Sequence, residues 1–104
     1  MAVLHALTEA ELDAALKALA SAQRREIVRI LAESRVAGTA CCAIDEVCAC
    51  KISERLGLAA STVSHHMALL REAGLVRARK DGTWVYYSLD RTRLEQVARA
   101  IADL

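Results

Sequence analysis

Residues 51–75, KISERLGLAASTVSHHMALLREAGL, constrain the fold of this 104-residue chain more than any other stretch. Ile52 and Leu56 recur at i and i+4, and Gly57 follows where a left-handed helix cap is wanted. Val63, Met67 and Leu70 recur at i, i+4 and i+7 as a second apolar stripe, and Gly74 closes it. Two short helices about a glycine corner make a helix-turn-helix pattern. Off the second stripe lie Ser61, Thr62, Ser64 and His65, all short, polar and uncharged. A merely solvated helix face usually carries Lys and Glu. Small hydroxyls and imidazoles can instead approach a base edge or a phosphate and hydrogen-bond there.

After Gly74 the period changes from 3.6 to 2. Leu75–Arg79 and Thr83–Leu89 flank Lys80-Asp81-Gly82, a strong hairpin signal, and TWVYYSL is rich in strand formers. Arg77, Arg79 and Lys80 fall at or near the tip, which predicts a basic wing with Arg79, Lys80 and Thr83 as further DNA contacts. Asp90 can cap a last helix over Arg91–Asp103, striped by Leu94, Val97, Ile101 and Leu104. Towards the N-terminus, Thr8 and Glu11 form a capping box, so a helix starts near Glu9 with Leu12, Leu16 and Leu19 as its stripe. Ser21 opens another through about Ser34. It buries Ile27, Ile30 and Leu31 and turns Arg24, Arg25, Glu26 and Arg29 outward. Residues 35–44 have no helical period. Gly38 and Thr39 mark a loop there, and Asp45 and Glu46 begin the next helix, acids at its positive end.

The expected fold class is therefore mainly α with a small β-hairpin, a single winged helix-turn-helix domain over residues 1–104. Hydrophobic residues make up 55% of the chain, yet it has no Phe and one Trp, so Leu, Ile, Val and Ala must build the core. A chain this short buries a limited core alone. The apolar stripes of the first and last helices are assigned to a two-fold dimer contact. No run of ~18 apolar residues exists to span a membrane. The first residues, MAVLHALTEAEL, lack a charged lead and a cleavage site, so a cytoplasmic location is expected.

Net charge is only +1, but it is unevenly placed. Residues 51–93 hold eight Lys/Arg against four Asp/Glu, a local +4, and both flanking segments are net acidic. A polyanion feels the local patch.

Cys41, Cys42, Cys48 and Cys50 fall within ten residues, and the rest of the chain has no cysteine. In a cytoplasmic protein such a cluster reads as a metal or redox site before a disulfide framework. The spacing departs from the C-x₂₋₄-C repeats of zinc fingers. All-sulfur ligation with no histidine nearby favours thiophilic ions. As(III) or Sb(III) would take three thiolates in a pyramid, and Cd(II), Pb(II) and Hg(II) remain open on the same ligands. In an ideal helix Cys48 and Cys50 point about 200° apart, since each residue turns ~100°. They share an ion only if the helix start unwinds or Cys48 precedes it. Unwinding would distort the support of the second helix and deplete the DNA-competent state. Small core residues are the bland alternative for any of the four. A thiol redox switch, a thiol enzyme and a structural zinc module are the other rivals. No acid, base and nucleophile set converges on the cysteines and no organic-cofactor motif appears, which argues against an enzyme. Of the histidines, His5 reads as a surface residue. His65 is a DNA contact, and His66, about a quarter-turn on, could pack against the wing.

These residues resemble the ArsR/SmtB family of bacterial metal-responsive winged-helix repressors, from about Glu9 to Leu104. EVCACKISERLGL looks like the family's ELCVCDL metalloid box, STVSHHMALLREAGLV its recognition helix and RKDGTWVYYSL its wing. The resemblance implies a homodimer that binds double-stranded operator DNA, represses a resistance operon and lets go when the inducer binds. Cys48 and Cys50 match the first two box cysteines. Where arsenic-sensing members carry a third box cysteine this chain has Ser53, so a third thiol must come from Cys41 or Cys42. The zinc-sensing branch carries Asp and His ligands on its last helix, and residues 91–103 hold no histidine. Ala59 replaces the usual polar N-cap of the recognition helix, at a cost of roughly 1 kcal/mol. The free N–H groups left there could meet a DNA phosphate.

Overall fold

The computed structural model describes residues 6–33 and 46–104. His5, Ser34, Gly38, Thr39, Cys41, Cys42 and Asp45 lie outside the described residues, and with them the expected loop and two of the four thiols. The elements are α1 (Glu9–Leu19), α2 (Ala22–Glu33), β1 (Val47–Cys48), α3 (Ala49–Leu56), α4 (Ala60–Glu72), β2 (Val76–Asp81), β3 (Trp84–Leu89) and α5 (Arg91–Ala102). Helices dominate, with one three-stranded antiparallel sheet in the order β1-β3-β2.

Local chemistry fixes the helix ends. Glu11 N–H donates to Thr8 Oγ1 at 3.1 Å and Thr8 N–H to Glu11 Oε1 at 2.9 Å, the reciprocal pair of a capping box. Ser21 Oγ accepts from Arg24 N–H at 3.4 Å, and Asp90 Oδ1 from Arg93 N–H at 3.0 Å. After α4, Leu75 N–H donates to the Leu70 carbonyl at 3.0 Å and Gly74 N–H to that of Arg71 at 2.9 Å. These are the two bonds of a Schellman cap. Leu58 N–H to Ser53 and Gly57 N–H to Glu54 repeat it after α3. The motif needs a left-handed residue, and Gly57 and Gly74 have φ of +65° and +74°. Gly74 answers a second demand. A Cβ there would sit 3.3 Å from the Arg93 guanidinium, which reaches over the cap to pair with Glu11 at 3.1 Å. That ion pair ties α5 to α1.

The core gathers one face of every helix. Ile27 and Leu31 from α2, Ile52 from α3, Val63, Met67 and Leu70 from α4, Leu75, and Val97 from α5 are fully buried. On α1 the inward face is Leu12, Ala15 and Ala18, whereas Leu16 is 41% exposed. Of the expected Leu12–Leu16–Leu19 stripe, Leu12 is buried, Leu19 packs half-buried on the core and Leu16 stays exposed. Val97 alone of the α5 stripe is buried, and Ile101 and Leu104 are 45% and 93% exposed.

The sheet corrects the sequence reading twice. Val47 and Cys48 form a third strand before α3, so the chain does not enter that helix at Asp45 or Glu46. The hairpin register pairs Asp81 with Trp84, leaving Gly82 and Thr83 as the two-residue loop in place of Lys80-Asp81-Gly82. Gly82 has φ +62° and Thr83 has no positive φ, which by φ matches a II′ turn with glycine first.

Candidate DNA-binding surface and thiol pair

The three residues Gly57, Leu58 and Ala59 join α3 to α4. Val63, Met67 and Leu70 anchor α4 to the core, which turns Ser61, Thr62, Ser64 and His65 to solvent as a contiguous polar surface. Ala59, the N-cap, makes no side-chain hydrogen bond, so the first amides of α4 lack a side-chain acceptor. Lys80 and Thr83 are exposed on the wing and its turn. Arg77 sits at the wing's base, not its tip, and pairs with Asp90 at 3.2 Å.

His66 departs from expectation. It is buried against α2, not the wing, and Arg24, expected outside, reaches in to meet it. Arg24 Nη1 donates to His66 Nδ1 at 3.1 Å, so the neutral imidazole keeps its proton on Nε2 and donates to Gln23 Oε1 at 3.0 Å. The same guanidinium donates to the carbonyls of Ala18 at 2.6 Å and Lys17 at 3.3 Å. One side chain thereby joins the end of α1, α2 and the middle of α4. Burial first, then the positive charges of Arg24 and His65, holds the His66 pKa below its usual value.

The positive patch is thinner than its formal charge. Arg55 pairs with Glu33 at 3.7 Å, Arg77 with Asp90, Arg79 with Glu46 at 2.8 Å and Arg93 with Glu11, while Arg91 donates to the Ala32 carbonyl at 2.9 Å. Lys51, Arg71 and Lys80 make no ion pair among the described residues. Arg71 and Lys51 were not singled out from sequence, because unpaired cations show only once the acids are placed.

Cys48 occupies the N-cap of α3 with extended backbone, φ −64° and ψ 138°, and Cys50 lies one residue inside the helix. The extended cap removes the 200° divergence expected inside a helix. The two Sγ atoms face each other at 2.7 Å without any unwinding. Cys48 is 3% exposed and Cys50 is exposed. The contact with Cys48, and then burial, raises the Cys50 pKa above the usual thiol value. Ser53, at the third box position, spends its hydroxyl on the Leu58 carbonyl at the end of α3. Among the described residues no group of three or more His, Cys, Asp or Glu side chains could hold a metal ion. These residues therefore offer two sulfurs to a soft ion. No helix among them is long and apolar enough to cross a membrane.

The sequence pattern of bacterial regulatory proteins of the arsR family matches residues 21–78. The chain is 33% identical over 88 residues to an uncharacterised HTH-type transcriptional regulator of Methanocaldococcus jannaschii, covering 85% of this chain and 88% of that one. It is 43% identical over 72 residues to a putative arsenical resistance operon repressor of Halobacterium salinarum, over 69% of this chain but only 49% of that one. The chain thus spans most of the first relative's length and about half of the second's. Among solved structures, it resembles the homodimeric winged helix-turn-helix DNA-binding domain of a possible ArsR-family regulator from Mycobacterium bovis. The TM-score is 0.66 at 29% identity, covering 90% of this chain and 80% of that one.

Proposed function

The chain belongs to the arsR family of bacterial regulatory proteins, and on that premise we propose that it is a dimeric repressor that releases operator DNA when As(III) or Sb(III) binds its thiols. The observation that carries the reading is the pair of converging sulfurs at the start of the helix that supports α4. Ser61, Thr62, Ser64 and His65 read base edges in the major groove. Arg79, Lys80 and Thr83 meet the flanking backbone or minor groove. The dimer sets two such surfaces one helical turn apart on a palindrome. Leu16 on α1, Ile101 on α5 and Leu104 just beyond it, all exposed, supply the apolar part of the contact between copies.

Cys48 and Cys50 are two of the three ligands, and Cys41 or Cys42 brings the third. Since the pair already converges, capture does not melt α3. The pull on the chain before β1, as the third thiol is drawn in, carries the conformational change instead. The raised Cys50 pKa favours arsenous-acid chemistry over dication capture. When a thiol replaces a hydroxide of As(OH)₃, its proton leaves with that hydroxide as water, so no net proton is released. Binding Cd(II), Pb(II) or Hg(II) must expel the protons into solvent. The raised Cys50 pKa also makes that thiol a poorer nucleophile source at neutral pH, which weighs against a peroxide switch there.

X-ray absorption of the arsenite-loaded protein tests the assignment directly. Three sulfur neighbours are expected for the wild type and two for Cys48→Ser and Cys50→Ser. Loss of one sulfur in only one of Cys41→Ser and Cys42→Ser identifies the third ligand. Three sulfurs retained in Cys48→Ser or Cys50→Ser would overturn the site.

A further inference from the structure

The sheet that forms the wing also carries a thiol. Cys48 on β1 lies opposite Tyr86 on β3, and Tyr86 lies opposite Arg79 on β2. Residues facing each other across antiparallel strands share a side of the sheet. Cys48, Tyr86 and Arg79 therefore form one row across three strands, while the neighbouring row of Val47, Tyr87 and Ala78 turns to the core. The Arg79 guanidinium carbon stands 4.7 Å over the centre of the Tyr86 ring. Its Nε and Nη2 donate to Glu46 Oε2 and Oε1, both at 2.8 Å. The carboxylate is held in place as well, its side chain only 14% exposed. Glu46 immediately precedes β1, two residues before Cys48.

This arrangement fixes a long side chain from two directions. The ring sets the plane of the guanidinium, and the fork sets its rotation within that plane. Only the Nε–Nη2 edge is engaged, so the Nη1 edge stays available to a phosphate or a base. An arginine left to its own rotamers would have to be ordered at the moment of binding.

We infer that Glu46 is a positioning residue for operator binding: it holds Arg79 in its DNA-contacting pose. The inference rests on Arg79 being an operator contact. A carboxylate that merely competed with DNA for Arg79 would give the opposite sign, because removing it would strengthen binding.

The test uses the full chain and a duplex selected by the wild-type protein for tight binding, with affinity followed over a range of salt. Glu46→Gln keeps the size but loses the charged fork, and should bind about tenfold to a hundredfold more weakly, the factor that re-ordering one long side chain in each protomer carries. Arg79→Ala should weaken binding and lower the salt slope by about 1.8, one phosphate contact from each protomer. The double variant should match Arg79→Ala within about twofold, because Glu46 acts through Arg79. Glu46→Asp, which keeps a carboxylate, should recover part of the loss. Equal or tighter binding by Glu46→Gln, or losses that multiply in the double variant, would overturn the inference. If Arg79→Ala leaves both affinity and salt slope unchanged, the wing contact itself falls and this inference with it. If only Glu46→Gln is silent, the wing contact stands and this inference alone fails.

Discussion

His65 and His66 are adjacent and have opposite surroundings. His65 is exposed on the polar face of α4, whereas His66 is locked between Arg24 and Gln23. A protonated His66 would put an N–H against a guanidinium that can only donate, so the folded state favours the neutral ring. The unfolded chain then takes up this proton more readily than the folded one, near its usual pKa of 6.5. Stability from this group is complete above that pH and declines as the pH falls below it. Urea midpoints measured downward from neutral pH should fall more steeply for the wild type than for His66→Phe. Parallel curves would show that the lock is not sensed. His65→Ala should leave the urea midpoint unchanged and weaken operator binding by about 1–3 kcal/mol if the imidazole reads a base. The dipeptide alone could not assign these roles. Spacing left His66 free to pack against the wing, and the deciding partner lies on another helix, 42 residues away.

The helices were legible because their ends are written locally. Thr8 with Glu11, Ser21, Asp90 and the two cap glycines each act within a few residues, and each stands where the spacing put it. The short strand β1 was not legible. Two residues carry no period, and an acid ahead of them mimics a helix start. It exists because β3 offers an edge to pair with, a fact absent from the local sequence. The turn of the wing was misplaced by one residue for a related reason. Asp-Gly fits one hairpin loop and Gly-Thr the next, and the burial of Tyr87 beside the exposure of Trp84 selects the register. The Arg79–Glu46 fork spans 33 residues and was likewise invisible, so a residue expected to be free for DNA proves to be held. Gly57→Ala isolates the capping effect, since a Cβ there meets nothing within 4 Å. The left-handed backbone alone should cost about 1–2 kcal/mol in denaturant unfolding, and a neutral result would mean that α3 tolerates another ending.

At the scale of the molecule, the helix-turn-helix and the wing share one small core, and the proposed second copy seats on the exposed apolar side chains of α1 and α5. Ile101→Glu should shift the sedimentation coefficient towards that of a monomer. It should also weaken operator binding, because each protomer would then hold only half of a palindrome. A dimer undisturbed by that charge would move the contact elsewhere. Ligand and DNA are linked reciprocally, so whatever factor the ion takes from DNA affinity the DNA takes from ion affinity. The most direct test is the affinity of the wild-type dimer for its selected duplex, with and without saturating arsenite and with Cys50→Ser as the control. We expect about a hundredfold weakening in the wild type, close to 2.7 kcal/mol, and little in the variant. Equal affinities for the empty and loaded wild-type protein would contradict the account.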